Sequence, residues 1–161
     1  MTRPYQLGDP AMLTRRATLG LFAAAPLITL AAPARAAEPA VFSRRGRAIR
    51  GADPVAFFTE GAPVDGSRQI THEWNGATWR FANEDNRALF VADPERYAPQ
   101  FGGYCAFAAA RGYVATSVPE AWSIVDDKLY LNFSLAVRDS WTAELPTIIA
   151  EGEANWPAIL G

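Results

Sequence analysis

The chain has 161 residues but one cysteine and one histidine. A single cysteine cannot form a disulfide within its own chain, and it excludes the Cys-x-x-Cys pair of thioredoxin-like oxidoreductases. One thiol and one imidazole also fall short of the several soft ligands that a zinc or iron–sulfur site takes. There is no Ser-His-Asp order, no phosphate-binding glycine loop and no zinc-protease motif. The adjacent carboxylates Asp126-Asp127 read as turn formers, so a conventional hydrolase is not expected. No internal repeat is present. The longest apolar run, Gly20 to Ala34, is interrupted by Pro26 and Pro33, too short for the about 20 residues that cross a bilayer.

That run has a different reading. Arg15-Arg16 precede it, and Ala34-Arg35-Ala36 closes it with small residues around the cut. A charged start, a short apolar centre and a small-x-small end describe an export signal, and the paired arginines point to the twin-arginine route. Residues 1–36 are therefore expected to be removed. The product would be periplasmic or secreted, with no membrane span after cleavage. The first 36 residues carry four of the 15 basic and one of the 17 acidic groups. The remainder keeps 11 against 16, a net charge of −5. An acidic body argues against nucleic acid and against anionic membrane surfaces as partners. Arg44, Arg45, Arg47 and Arg50 cluster in residues 37–50, a segment of little periodicity that reads as a solvated linker.

Order is expected from residue 51. Asp53-Pro54 followed by Val55-Ala56-Phe57-Phe58 is either a short buried strand or a helical first turn with proline at its first position. Asn75-Gly76 is a strong hairpin signal, because both residues tolerate positive φ. A two-residue loop there pairs Trp74 with Ala77, Glu73 with Thr78, His72 with Trp79, Thr71 with Arg80 and Ile70 with Phe81. Alternation puts Ile70, His72, Trp74, Ala77, Trp79 and Phe81 on one face and leaves Glu73 and Arg80 within diagonal reach on the other. Asn83 is placed to cap a helix with Leu89 and Phe90 facing inward, and Asp93-Pro94 begins a further turn. Tyr113–Thr116 reads as a short strand. A second hairpin is expected from Trp122-Ser123-Ile124-Val125 and Lys128–Asn132, with its turn at Asp126-Asp127. Helices are expected from Ser134 to about Glu144 and from Pro146 to Trp156, with Trp122, Trp141 and Trp156 in the core. The result is a small α+β single domain, hairpins packed with short helices.

The chemistry-bearing stretch is Phe101-Gly102-Gly103-Tyr104-Cys105-Ala106-Phe107. Paired glycines deliver the only thiol to a tight turn between aromatic residues. Three roles are open to it. Cys105 could be a redox thiol, with His72 as partner base and Arg111 supplying charge; lacking a resolving cysteine, it would need an external thiol or protein partner. Cys105 and His72 could be metal ligands, for copper or another soft transition metal. Or Cys105 could be a packing residue in a non-catalytic interaction domain. A binding role is favoured over a well-defined enzyme.

Across residues 51–156 the chain resembles the YHS domain, in particular its exported bacterial branch. The resemblance rests on Asp53-Pro54-Val55, Trp74–Ala82, Asp93–Tyr97 and Gly102–Ala106. It implies a treble-clef-related α+β fold over residues 51–161 and transition-metal handling. In metal-binding relatives the ligands are thought to be cysteines at places matching Ala56, Ala82 and Asn86. In some exported members the residue after Gly-Gly-Tyr is selenocysteine, which implies redox or soft-metal chemistry at Cys105.

Overall fold

The structure, a computed structural model, describes residues 36–161; the expected export signal up to residue 35 lies outside the described residues. The segment read as a linker is part of the domain. Strands β1 (Ser43–Arg44) and β2 (Arg47–Ala48) pair antiparallel around Arg45-Gly46, both at positive φ. The arginines hide a short apolar framework: Val41, Phe42, Ala48 and Ile49 are all buried. After Asp53-Pro54 the chain takes the helical reading, α1 (Ala56–Thr59). Asp53 Oδ1 accepts from the Val55 and Ala56 amides at 2.8 and 3.4 Å and so satisfies donors a helix start leaves open.

Strands β3 (Thr71–Trp74) and β4 (Ala77–Arg80) form the Asn75-Gly76 hairpin in the register read from the sequence, from Thr71 opposite Arg80 to Trp74 opposite Ala77. Parallel pairing of Arg47 with Thr78 joins the two hairpins into one sheet, ordered β1-β2-β4-β3. Next, α2 (Glu84–Ala92) starts at Asn83, whose side chain accepts from the Asn86 amide at 2.8 Å. Its buried residues are Asn86 and Phe90, four positions apart on one stripe. Leu89 is exposed, against expectation, because a neighbour 100° round the helix cannot share Phe90's direction. Asp93 caps α3 (Pro94–Tyr97).

A single 3₁₀ turn, Phe101–Gly103, leads through Cys105 into α4 (Ala106–Ala110). The strand expected at Tyr113–Thr116 is not formed. That segment contributes one backbone acceptor, Ala115 O to the Cys105 amide, and no ladder. The second hairpin pairs β5 (Val118–Val125) with β6 (Lys128–Asn132), turning on Asp126 and Asp127 at φ of 50° and 57°. Ser134 caps α5 (Leu135–Ala143) through its hydroxyl, and α6 (Thr147–Asn155) follows Pro146.

Strand β6 divides the interior. Leu129 and Leu131 join a cluster with Trp79, Phe81, Phe90, Phe57 and Val55, while Tyr130 turns to a second cluster with Phe101, Trp141 and Ile148. Alternation along one strand thus supplies both cores. Among the described residues no helix is long and apolar enough to cross a membrane.

Candidate functional site

The stretch singled out in the sequence is strained. Phe101, Gly102 and Gly103 have φ of 53°, 58° and 79°, three consecutive left-handed residues. For a bulky residue such as Phe101 that conformation costs on the order of 1–3 kcal/mol and persists only where surroundings enforce it. They do. The Phe101 ring lies 5.9 Å from Tyr130 and 6.0 Å from Trp156. Gly102 O accepts from the Phe42 amide at 2.8 Å, and Gly103 O from the Ser117 hydroxyl at 2.6 Å. The Tyr104 hydroxyl donates to Pro39 O at 2.9 Å, and burial, then the charge of Glu38, raises its pKa. A Cβ on Gly102 would stand 2.0 Å from Ala40 O, so only glycine fits.

Cys105 itself points inward. It is 2 % exposed. Its thiol donates to Asn132 Oδ1 at 3.7 Å, and the same oxygen accepts from the Phe107 amide at 3.1 Å. His72 is half-buried on β3, opposite Trp79, with its ring edge-on to Phe90 at 6.4 Å. No hydrogen bond among the described residues joins His72 to Cys105. Arg111, the expected source of charge, is bound by Glu144 and Glu151, and the Glu144 hydrogen bond, followed by the pull of both carboxylates, raises its pKa against its partial burial.

Among the described residues no three His, Cys, Asp or Glu side chains are grouped to hold an ion. The positions that the family resemblance assigns to metal cysteines do converge, but on a carboxylate. Asp53 is fully buried. The Ala56 amide donates to its Oδ1, and the Ala82 amide and the Asn86 side-chain amide donate to its Oδ2 at 2.8 and 2.7 Å. All three positions thus present N–H donors, which cannot ligate a cation, and they occupy both Asp53 oxygens. The locus acts as a lock joining α1, the end of β4 and α2.

A cleft of about 510 Å³ opens beside the strained turn, and a shallower hollow of about 520 Å³ lies elsewhere, lined by Trp122, Ser123, Arg138, Asp139, Thr142 and Ala143. The walls of the cleft include Trp74, Trp79, Phe101 and Trp156, with Gly102 and the single acid Glu95. Trp74 stands 5.8 Å from Trp79, and the Trp79 indole donates to Trp74 O at 3.1 Å, which fixes that wall. Phe101 holds Trp156 on the opposite side. Glu95 is exposed and takes part in no ion pair among the described residues. The sequence marked Phe101-Gly102 as exceptional, but its thiol faces the core and its aromatic side faces the cleft. Nothing in the sequence coupled Trp156 to Trp74, because 82 positions separate them and only the fold brings them to one opening. Comparison of the chain with family models, with curated proteins and with solved structures finds no match.

Proposed function

We propose that this chain is a non-catalytic binding domain that holds a small organic ligand in the aromatic cleft. The cleft carries the reading. Its volume falls within the range of about 300–1,000 Å³ typical of ligand sites, and its lining joins the rings of Trp74 and Trp156 to the polar groups of Asn75, Glu95 and Gln100. Backbone strain concentrated at Phe101, on the cleft wall, is the kind of outlier that accumulates at functional sites. Aromatic faces beside one unpaired carboxylate favour a ligand bearing a cationic or aromatic group. Cys105 in this reading is a packing residue, hydrogen-bonded and closed off from solvent.

The reading includes a YHS-type domain exported by the twin-arginine signal of residues 1–36. The motifs that carry the resemblance support it by their placement: Asp53 of Asp-Pro-Val binds the Ala82 amide that ends the Trp74–Ala82 motif. The metal role of that family is not part of the proposal, since the Asp53 locus offers donors where a metal needs acceptors.

Titration with benzyltrimethylammonium, which carries both an aromatic and a cationic group, tests the function. Saturable binding is expected, weakened ~10-fold or more by Trp156→Ala, as for a residue anchoring a ligand pocket. Absence of binding at ~10 mM, a Kd weaker than about −3 kcal/mol of affinity, would overturn this ligand class; binding indifferent to Trp156→Ala would overturn the cleft.

A further inference from the structure

The outer face of the four-stranded sheet holds an unusual arginine. On β4, Ala77 and Trp79 point into the core, as does Phe81 just beyond it, so Thr78 and Arg80 point away from it. The stem of Arg80 is clamped. The Gly66 loop lies so close that a Cβ there would be 2.4 Å from Arg80 Cβ, and a Cβ on Gly51 would be 3.4 Å from Arg80 Cδ. Hydrogen bonds from the Gly66 amide to Gly51 O and from the Ser67 amide to Phe81 O hold this bracket shut. The Arg80 Nε–H is covered, yet has no acceptor among the described residues. Two other arginines show the contrast: Arg50 Nε donates to Ser117 O and Arg87 Nε to Thr71 O, at 2.7 and 2.9 Å. Among the described residues Asn132 Nδ2 and Trp141 Nε1 are covered and unpartnered as well, and each such group calls for an explanation, an ion or a water among them.

The surroundings of Arg80 carry further positive charge. Arg47, in register with Thr78, and Arg68, from the Gly66 loop, add positive charge beside Arg80; burial first and then these two neighbours lower its pKa. None of the five ion pairs among the described residues involves Arg47, Arg68 or Arg80. Glu73 lies on the same face opposite Thr78, but the diagonal pair expected with Arg80 is not formed. Three arginines on one face, none of them in an ion pair among the described residues and one held on a clamped stem, match a multivalent oxyanion at their guanidinium ends.

We propose that Arg47, Arg68 and Arg80 form a binding site for a compact, soluble phosphate-type oxyanion. The convergence on a single guanidinium favours a small ligand over an extended polyanion. The net charge of −5 on residues 37–161 opposes an anionic bilayer or nucleic acid. The site is independent of the aromatic cleft.

The test is a titration of the full ¹⁵N-labelled chain with inorganic pyrophosphate at low ionic strength, following the arginine Nε–H signals. The Arg80 signal is expected to shift saturably. Affinity should fall ~10-fold or more in Arg68→Gln and in Arg80→Lys, which keeps the charge but removes the fork, and stay unchanged in Arg138→Gln, a surface arginine paired with Asp139. Circular dichroism of each variant checks folding, and Arg68→Gln alters only an exposed side chain. No shift with pyrophosphate, or equal affinity in all variants, would overturn the proposal. So would binding to phosphatidylglycerol vesicles without a pyrophosphate response, which would make the face a membrane contact.

Discussion

Replacing Asp53 probes the element on which three parts of the fold depend. The side chain is fully buried and accepts four hydrogen bonds, from Val55, Ala56, Ala82 and Asn86. In Asp53→Ala the Val55 and Ala56 amides lose their cap, worth about 1 kcal/mol. The Ala82 amide and the Asn86 side chain lose a buried acceptor, at about 1–3 kcal/mol each. These losses share one cavity and are not additive, so the expected destabilisation is about 4 kcal/mol, a large part of the ~5–15 kcal/mol that holds a domain together. Asp53→Asn keeps the shape but turns an amide donor toward two other donors, and about 2–3 kcal/mol is expected. Urea unfolding at neutral pH measures both, with an unchanged m value showing that the midpoint shift is stability. A cycle with Asn86→Ala isolates the 2.7 Å contact, where a coupling of at least about 0.5 kcal/mol is expected. A loss below about 1 kcal/mol for Asp53→Ala would refute the reasoning, since it would mean that the four donors find other acceptors.

Three further outcomes follow from the geometry. Alkylation of Cys105 by iodoacetamide should be ~10³-fold or more slower in the native chain than in urea, because the thiol reacts only through opening; a native rate within ~10-fold of the unfolded one would restore the exposed-thiol reading. Stability should drop in alkali through Tyr130, whose pKa burial raises from 10.0 to about 12. The folded state keeps a proton that the unfolded chain releases, so stability intact below pH 10 is lost as pH rises toward 12, by up to ~3 kcal/mol. Urea midpoints at pH 8 and 11 for the native chain and Tyr130→Phe check this; an equal fall in both would contradict it. Gly102→Ala should destabilise by at least ~2 kcal/mol, from the clash with Ala40 O and the φ of 58°, and thermal unfolding within 1–2 °C of the native chain would count against the close approach.

Local rules carried far in this sequence, and non-local contacts did not. Asn75-Gly76 fixed a hairpin residue by residue, and Asp126-Asp127 marked the second, because turn chemistry and alternation act over a few positions. Asn83, Asp93 and Ser134 were legible as caps for the same reason. Residues 41–49 were not legible: four arginines masked Val41, Phe42, Ala48 and Ile49, and a strand of two residues has no period to read. Leu89 falls on the solvent side because residues adjacent in sequence do not share a helix face. At the site, the strain at Phe101-Gly102-Gly103 had a visible cause in the paired glycines, but the direction of Cys105 is set by Asn132, 27 positions on. The Asp53 lock, the cleft and the arginine face each join residues 20 or more positions apart, and single-residue chemistry does not report such pairings.

The central claim is that this domain binds through the aromatic cleft and not through Cys105. The five tryptophans provide a direct readout, because half-buried Trp74 and Trp156 face the cleft with Trp79 buried behind Trp74, while Trp141 is buried in the second core and Trp122 packs against Phe57. The measurement is the set of indole N–H signals of the ¹⁵N-labelled chain during titration with benzyltrimethylammonium. The account predicts saturable shifts of Trp74, Trp79 and Trp156, with Trp122 and Trp141 unmoved and the same response in Cys105→Ala. Five static indoles, or a response abolished by Cys105→Ala in a chain that remains folded, would contradict it.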